Sequence, residues 1–548
     1  AHQGEYVAPR DERLAWLTGL TGSAGFAAIT AARAAVFADS RYSVQLRAQI
    51  ADVFEPVDWP ATRLDAWLAE ALPEGVVGFD PWLHVPRQVR ALEAAGVRLQ
   101  ALDNLVDTVW DDQPAPPMGR VLVQPEALAG RSVADKRAAL AAEIAEAGCV
   151  ACVITLPDSL SWLLNLRGAD IKHNPVVHGF VIVHADGTVA LFGPEAKFAD
   201  VDLPEGVTLQ PGAAFLPACR ALDGPVWADP DSAPHAVFDA LGEVHEARDP
   251  CLLPKACKTP AEIAGARQAH HRDALAMVRF LHWLESAVPG GVTEIAAAQA
   301  LEGFRRDTDQ LRDISFETIS AAGAHAALPH YRVNTESDAP LQRGEVYLVD
   351  SGGQYPDGTT DITRTLGIGA QPEAVRRAFT RVLQGMIAVS RLRWPEGLSG
   401  ADLDAVARVP LWAAGQDYGH GTGHGVGSYL SVHEGPQRLA RTGREPLRAG
   451  MILSNEPGFY AEGAFGIRIE NLIVVSEAAK GPEQSVARLF EFETLTFVPF
   501  DRTMIVTQML SPAERDWIDA YHAACHDRLA AHLPDPVALW LKDACAPL

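Results

Sequence analysis

Four acidic residues and one histidine are spaced in this sequence as a metal site would need them. The apolar run Glu345-Val346-Tyr347-Leu348-Val349 ends in Asp350, and a turn rich in glycine and proline leads back into the Thr-rich segment from Thr359 to Leu366, which contains Asp361. The two acids are centred on the turn Gln354 to Gly358. A regular hairpin would therefore set Asp350 opposite Asp361, with Cβ atoms roughly 5 Å apart. The pattern recurs downstream: Met451 to Asn455 leads to Glu456, Gly466 to Ile473 returns through Glu470, and this pair is centred on Gly463. Facing carboxylates destabilise a sheet unless a cation lies between them. Strand alternation puts Arg468 on the face of Glu470, where it can orient that carboxylate or a substrate group. Between the hairpins, Gly419-His420-Gly421-Thr422-Gly423-His424-Gly425-Val426-Gly427 holds too many glycines for a helix, so its histidines are not a helical zinc motif. One imidazole with four carboxylates is a hard, oxygen-rich set suited to Mn2+, Co2+ or Zn2+. Four negative charges match two divalent cations, whereas fewer metals would leave buried negative charge uncompensated.

The elements that must position these groups can be read from their punctuation. Thr259-Pro260-Ala261-Glu262 combines an N-cap, a first-turn proline and a capping-box glutamate, and predicts a long amphipathic helix through His282. Ser511-Pro512-Ala513-Glu514 repeats the signal and opens a C-terminal extension with no readable chemistry. In the first half, Trp16-Leu17-Thr18-Gly19-Leu20-Thr21-Gly22 and Trp162-Leu163-Leu164-Asn165-Leu166-Arg167-Gly168 share W-L-x-x-L-x-G, and each precedes a Gly-Phe that opens an apolar strand. Two copies of one α/β domain are expected, over 1–115 and 118–253, joined by the Pro-rich linker Gln113 to Pro117. The second copy has a helix opened by Ser132 and a strand from Cys149 to Leu156 before its tryptophan; the first copy is expected to lack both. The remainder, 254–548, is the third domain, with its extension from about Ser511.

Composition narrows the function. With 48% hydrophobic and 21% charged residues the chain is globular, and no apolar run approaches the ~20 residues that cross a bilayer. A formal charge of -24 repels phosphate backbones, which excludes nucleic acid and leaves membranes without an attachment signal. Seven cysteines form no disulfide framework, so a reducing compartment, the cytoplasm, is expected. Cys149 and Cys152 lie in an apolar strand-like run and are read as buried structural residues rather than a redox pair.

The segments Val349-Asp350-Ser351-Gly352-Gly353, Asp361-Ile362-Thr363-Arg364-Thr365, Gly419 to Gly427, Asn455-Glu456-Pro457-Gly458 and Arg468-Ile469-Glu470-Asn471 resemble the metal-binding motifs of the aminopeptidase P and prolidase family. Leu328-Pro329-His330-Tyr331 and Val432-His433-Glu434-Gly435-Pro436 match as well, and the N-terminal repeats resemble the creatinase-type modules of its three-domain, cytosolic-like branch. The resemblance implies an α/β (α+β) chain with two creatinase-N-like domains and a C-terminal pita-bread catalytic domain. It implies a homodimer acting on peptides with proline second, through a hydroxide bridging two divalent metals, with Mn2+ expected and Zn2+ or Co2+ as alternatives. By the same resemblance, Asp350 chelates one metal, Asp361 and Glu470 bridge both, and His424 and Glu456 complete the second site. Glu456 is also the proton shuttle, His433 stabilises the oxyanion, and His330 and His420 line the proline and product side. Two alternatives stay open: a prolidase restricted to Xaa-Pro dipeptides, which usually has one N-terminal domain, and a metal-free binding protein on the same fold, which would lack the ligand set filled here.

Overall fold

The two Trp-Leu motifs head equivalent elements. In the computed structural model, which describes residues 4–39, 41–481 and 485–548, Trp16 lies in the helix Arg13–Thr18 and Trp162 in the helix Pro157–Leu163. After each comes an antiparallel hairpin extended by a parallel third strand. These are Gly25–Ile29, Ala34–Ala38 and Glu55–Asp58 in the first copy, and Phe180–His184, Val189–Phe192 and Val207–Gln210 in the second. A parallel pair then closes both, Val76–Phe79 with Arg98–Ala101 and Pro225–Ala228 with Glu243–Glu246. In the second copy the strand Ala151–Ile154 lies between Phe180–His184 and Pro225–Ala228 and joins all into one six-stranded sheet. Among the described residues the first copy has no counterpart of that strand or of the helix Val133–Glu146, and its strands form separate three- and two-stranded sheets. Ser132 caps the second copy's helix by accepting the Asp135 amide, as its sequence predicts. Cys149 and Cys152 are buried free thiols; burial pushes both thiol pKa values up, which keeps them protonated and inert.

By its contacts the chain divides into the units Ala1–Lys255 and Ala256–Leu548. The second begins with the predicted capping box: Thr259 accepts the Glu262 amide and the Glu262 carboxylate accepts the Thr259 amide. Its helix, Pro260–Ala287, runs five residues beyond His282 because Leu284 still falls on the buried face, and Pro289, which cannot donate, follows. This helix packs with Glu294–Arg306, Glu373–Ser390 and the C-terminal helix Pro512–Leu529 into a core that includes Phe280, Leu301, Tyr347, Phe379, Leu383 and Ile518. Two sheets carry the carboxylate ribbons. One has the strands Ile319–Ala322, Val346–Ser351 and Ile362–Gly367. The other orders Arg393–Pro395, Leu489–Thr494, Asn471–Glu477, Ile452–Asn455, Gly423–Gly425 and Glu434–Leu439. No helix among the described residues is long and apolar enough to cross a membrane.

The C-terminal extension reaches the ribbons through Tyr521. Arg364, fully buried, donates to the carbonyls of Thr363 (2.8 Å), Glu470 (2.6 Å) and Val498 (2.7 Å), to Asn471 Oδ1 (2.9 Å) and to the Tyr521 hydroxyl (3.0 Å). One guanidinium thereby clamps both ribbons to the last long helix.

Beside Tyr521, His522 is buried with Nε2 accepting the Phe500 amide at 3.2 Å. Burial, helped by Arg502 and Arg364, lowers its pKa from 6.5 to about 3. The unfolded chain then binds a proton that the folded chain refuses, so the stability from neutral His522 is full above pH 6.5 and is lost as pH falls towards 3. Thermal unfolding followed between pH 7 and 4 should show a falling Tm, and His522→Gln should make that fall shallower; an identical slope in the variant would remove His522 as a cause.

Candidate metal centre

The first ribbon differs in register from the sequence expectation. Asp350 pairs with Thr363 and Ser351 with Ile362, and pairing resumes with Gln354 opposite Thr359, so the turn narrows to Pro356-Asp357. Asp361 therefore lies diagonal to Asp350 rather than opposite it. The cause is Tyr355: it is a buried strand residue whose hydroxyl donates to Asp273 at 2.8 Å, which tightens the turn and shifts its centre. The second ribbon keeps the expected register, since Asn455 pairs with Asn471 and Gly458 with Arg468 on either side of Glu456 and Glu470.

Both ribbons and the glycine-rich loop converge. Ligand-type atoms lie within 4.8 Å of one another in three groups: Asp350, Asp361 and Glu470; His424, Glu456 and Glu470; Asp361, His424 and His433. Asp361, His424 and Glu470 each belong to two of these groups. Burial raises the pKa of Asp350, and it raises those of Asp361 and Glu470 far more, because burial and the neighbouring carboxylates outweigh what opposes them, whereas Asp350 has Arg468 directly hydrogen-bonded to it. Asp350 Oδ1, Asp361 Oδ1 and Glu470 Oε1 are buried with no hydrogen-bond partner among the described residues. Gathered, unpartnered carboxylate oxygens fit a hard divalent cation and little else.

The loop supplies its imidazole in a defined orientation. His424 Nδ1 donates to the Gly425 carbonyl at 2.9 Å, which leaves Nε2 as the free lone pair, 3.5 Å from Asp361 Oδ2 and 3.3 Å from Glu456 Oε1. A Cβ at Gly423 would come within 1.9 Å of the Ser454 carbonyl oxygen, so only glycine lets the loop lie against this strand. The His433 ring meets that of His424 edge-on, with centroids 4.3 Å apart.

Arg468 is placed differently from expectation: its guanidinium goes to Asp350 rather than to Glu470. NH2 donates to Asp350 Oδ2 (2.6 Å), Nε to the Thr363 hydroxyl (3.2 Å) and NH1 to the Tyr460 hydroxyl (2.8 Å). Glu470 is oriented instead by Thr363, whose hydroxyl donates to Oε2 at 2.8 Å. Asp350, on the other ribbon, thus takes the guanidinium that strand alternation assigned to the neighbour two residues away. His420 lies outside the three ligand groups and joins the same network, with Nε2 2.8 Å from the Tyr460 hydroxyl and Nδ1 2.7 Å from the Gly421 carbonyl. Burial lowers its pKa to about 4, so it is neutral at pH 7 and accepts from Tyr460. His330 is also outside the three groups. It is half-buried and follows the turn Gly323–Ala327, which packs on the strand Phe465–Arg468.

Sequence reading gave no role to Tyr460, Thr363 or Ser454. Alternation along the strand from Glu456 through Gly458 to Tyr460 would have put that tyrosine on the glutamate's face. Nothing local marks Thr363 or Ser454, whose partners lie on other strands.

Models of the creatinase/prolidase N-terminal domain match residues 6–109 and 112–262, the metallopeptidase family M24 model matches 264–477, and the model of its C-terminal region matches 488–548. Fold and site thus define a metallopeptidase with a pita-bread catalytic domain. Aminopeptidase P1 from Lotus japonicus is 34% identical over 632 residues, covering 100% of this chain and 95% of its own length. A probable Xaa-Pro aminopeptidase P from Laccaria bicolor is 38% identical, covering 100% and 89%. The crystal structure of X-prolyl aminopeptidase from Caenorhabditis elegans, described as a cytosolic enzyme with a di-nuclear active site, superposes with a TM-score of 0.93 at 32% identity over 100% of this chain and 93% of that one. The chain belongs to the aminopeptidase P branch of metallopeptidase family M24, the metal-dependent Xaa-Pro aminopeptidases with two divalent metals.

Proposed function

We propose that Asp350, Asp361, His424, Glu456 and Glu470 hold the two metals, with Asp361 and Glu470 shared between them, and that the chain cleaves the first bond of peptides with proline second. The observation that carries this reading is that the three ligand groups overlap, with Asp361, His424 and Glu470 in two each, and that Asp350, Asp361 and Glu470 each turn an unpartnered buried carboxylate oxygen into the cluster. When bound, the metal pair lowers the pKa of a water to make a nucleophile at neutral pH and polarises the scissile carbonyl. Glu456, which receives the Ser454 hydroxyl at Oε1 (3.0 Å), carries the water's proton to the departing proline nitrogen. His433 donates to the carbonyl oxygen as it gains charge, and His330 and neutral His420 border the proline and product side. Arg468 favours the charged form of Asp350 against its burial and holds it in place.

In the same reading the N-terminal unit is two creatinase-N-like domains, 1–115 and 118–253, followed by the catalytic domain 254–548. Oxygen-rich ligation favours Mn2+ over thiophilic metals. The seven free cysteines and the cytosolic relative from Caenorhabditis elegans support a cytoplasmic location, and the family resemblance is the ground for a homodimer. The test is metal content together with peptide length. Purified protein should carry two metals per chain, lose activity to a chelator, regain it with Mn2+ and cleave Xaa-Pro-Xaa tripeptides. Cleavage of Xaa-Pro dipeptides alone would make it a prolidase, and a metal-free protein without rescue would make it a binding protein.

A further inference from the structure

The loop that bears His420 and His424 is held from behind by a buried ion pair. Asp404 and Arg408 lie one turn apart on the helix Gly400–Trp412, each 2% exposed. They pair through two bonds, Nε to Oδ2 at 2.7 Å and NH2 to Oδ1 at 3.1 Å. The other guanidinium protons go to Asp417 Oδ1 (2.8 Å), the Tyr418 carbonyl (2.8 Å) and the His420 carbonyl (2.7 Å), and the guanidinium sits 3.9 Å above the Tyr418 ring. All five N–H groups are in use, which only arginine can supply in one plane.

Asp404 extends the network towards the metal centre. Its Oδ1 accepts the Thr422 hydroxyl at 2.6 Å, and the Tyr418 hydroxyl lies 2.5 Å from the same Thr422 oxygen. The Thr422 carbonyl accepts the Glu456 amide at 2.8 Å. Two residues on, the His424 amide donates to Ser454 Oγ (2.9 Å), which donates to Glu456 Oε1. The helix is therefore linked to His424 and Glu456 by hydrogen bonds of 3.0 Å or less joined through the backbone of 422–424. The loop itself, with glycine at 419, 421 and 423, has few side chains with which to fix its own path. Apolar residues at 404 and 408 could fill the same space, but they could not hold the 418 and 420 carbonyls.

We infer that Asp404 and Arg408 are positioning residues that set metal affinity at the His424–Glu456 side of the centre, touching neither metal nor substrate. The inference rests on the five-ligand reading above. Groups that orient metal ligands from outside typically change affinity about 10- to 100-fold when lost.

The test is a two-site Mn2+ titration by calorimetry of the full chain, with unfolding followed in chelated and Mn2+-loaded protein. In Asp404→Asn and Arg408→Lys one dissociation constant should weaken by about 10- to 100-fold while the other stays at the parental value. The rise in Tm on adding Mn2+ should shrink, and Arg408→Lys, which keeps the charge, should lie between the parent and Asp404→Asn. Thr422→Val removes only the bridging hydroxyl and serves if either helix variant fails to fold; it should weaken the same single constant. A lower Tm of the chelated protein with both constants unchanged, or equal weakening of both, would reduce the pair to a fold-stabilising contact. Parental protein that does not bind two Mn2+ would instead overturn the five-ligand reading, and the inference with it.

Discussion

Glu456→Gln folds and binds metal but hydrolyses Xaa-Pro peptides about 10²- to 10⁴-fold more slowly than the parent, the usual weight of a lost general base or acid. The amide keeps the shape and the Ser454 hydrogen bond but cannot take up a proton at neutral pH. Glu456 suits the task because its side chain is 17% exposed while Asp361 beside it is 4%, so of the two it can meet both water and the metals. Turnover and metal content measured on one sample separate two contributions. Slow turnover with two metals retained assigns the loss to proton transfer, slow turnover with one metal lost assigns it to ligation, and near-parental turnover would remove Glu456 from the mechanism.

Glu434→Ala loses about 3–5 kcal/mol of stability, the penalty for breaking a buried ion pair from one side. Lys258 Nζ and Glu434 Oε2 are 2.5 Å apart, and their side chains are 1% and 0% exposed. Lys258 immediately precedes the cap of the long helix, and Glu434 follows His433, so the pair ties the start of the catalytic unit to the strand Glu434–Leu439 beside the metal centre. Removing the carboxylate takes the ion-pair partner from an ammonium that is 1% exposed. The double variant Lys258→Met/Glu434→Leu should recover most of the loss, since apolar residues of similar volume tolerate the same site. Urea unfolding measures both, and a change in Glu434→Ala no larger than that of a surface pair would show that the ammonium finds solvent.

What could be read from the sequence was what depends on near neighbours. The caps at Thr259 and Ser511 and the crossing of Glu456 with Glu470 use residues within one helix start or one hairpin, and the structure has them as expected. The first ribbon slipped because its turn is decided by Tyr355, which answers to Asp273 on a helix 82 residues earlier. Arg468 found Asp350 for the same reason: its partner belongs to the other ribbon, 118 residues away. Asp404 and Arg408 have the spacing of an ordinary i,i+4 helix pair and drew no attention in the sequence, and only the loop folded against them makes the pair part of the site. The extension after Ser511 offered no motif because it meets the ribbons through a phenol, Tyr521, whose partners are backbone groups, an arginine and an asparagine.

That phenol has a consequence for how the protein is made. Tyr521 is translated after both carboxylate ribbons, so during synthesis the ribbons leave the ribosome before the hydroxyl that completes the Arg364 clamp exists. Final seating of the ribbons therefore waits on the helix Pro512–Leu529, and a nascent chain is poorly placed to act as a peptidase before that helix has left the ribosome.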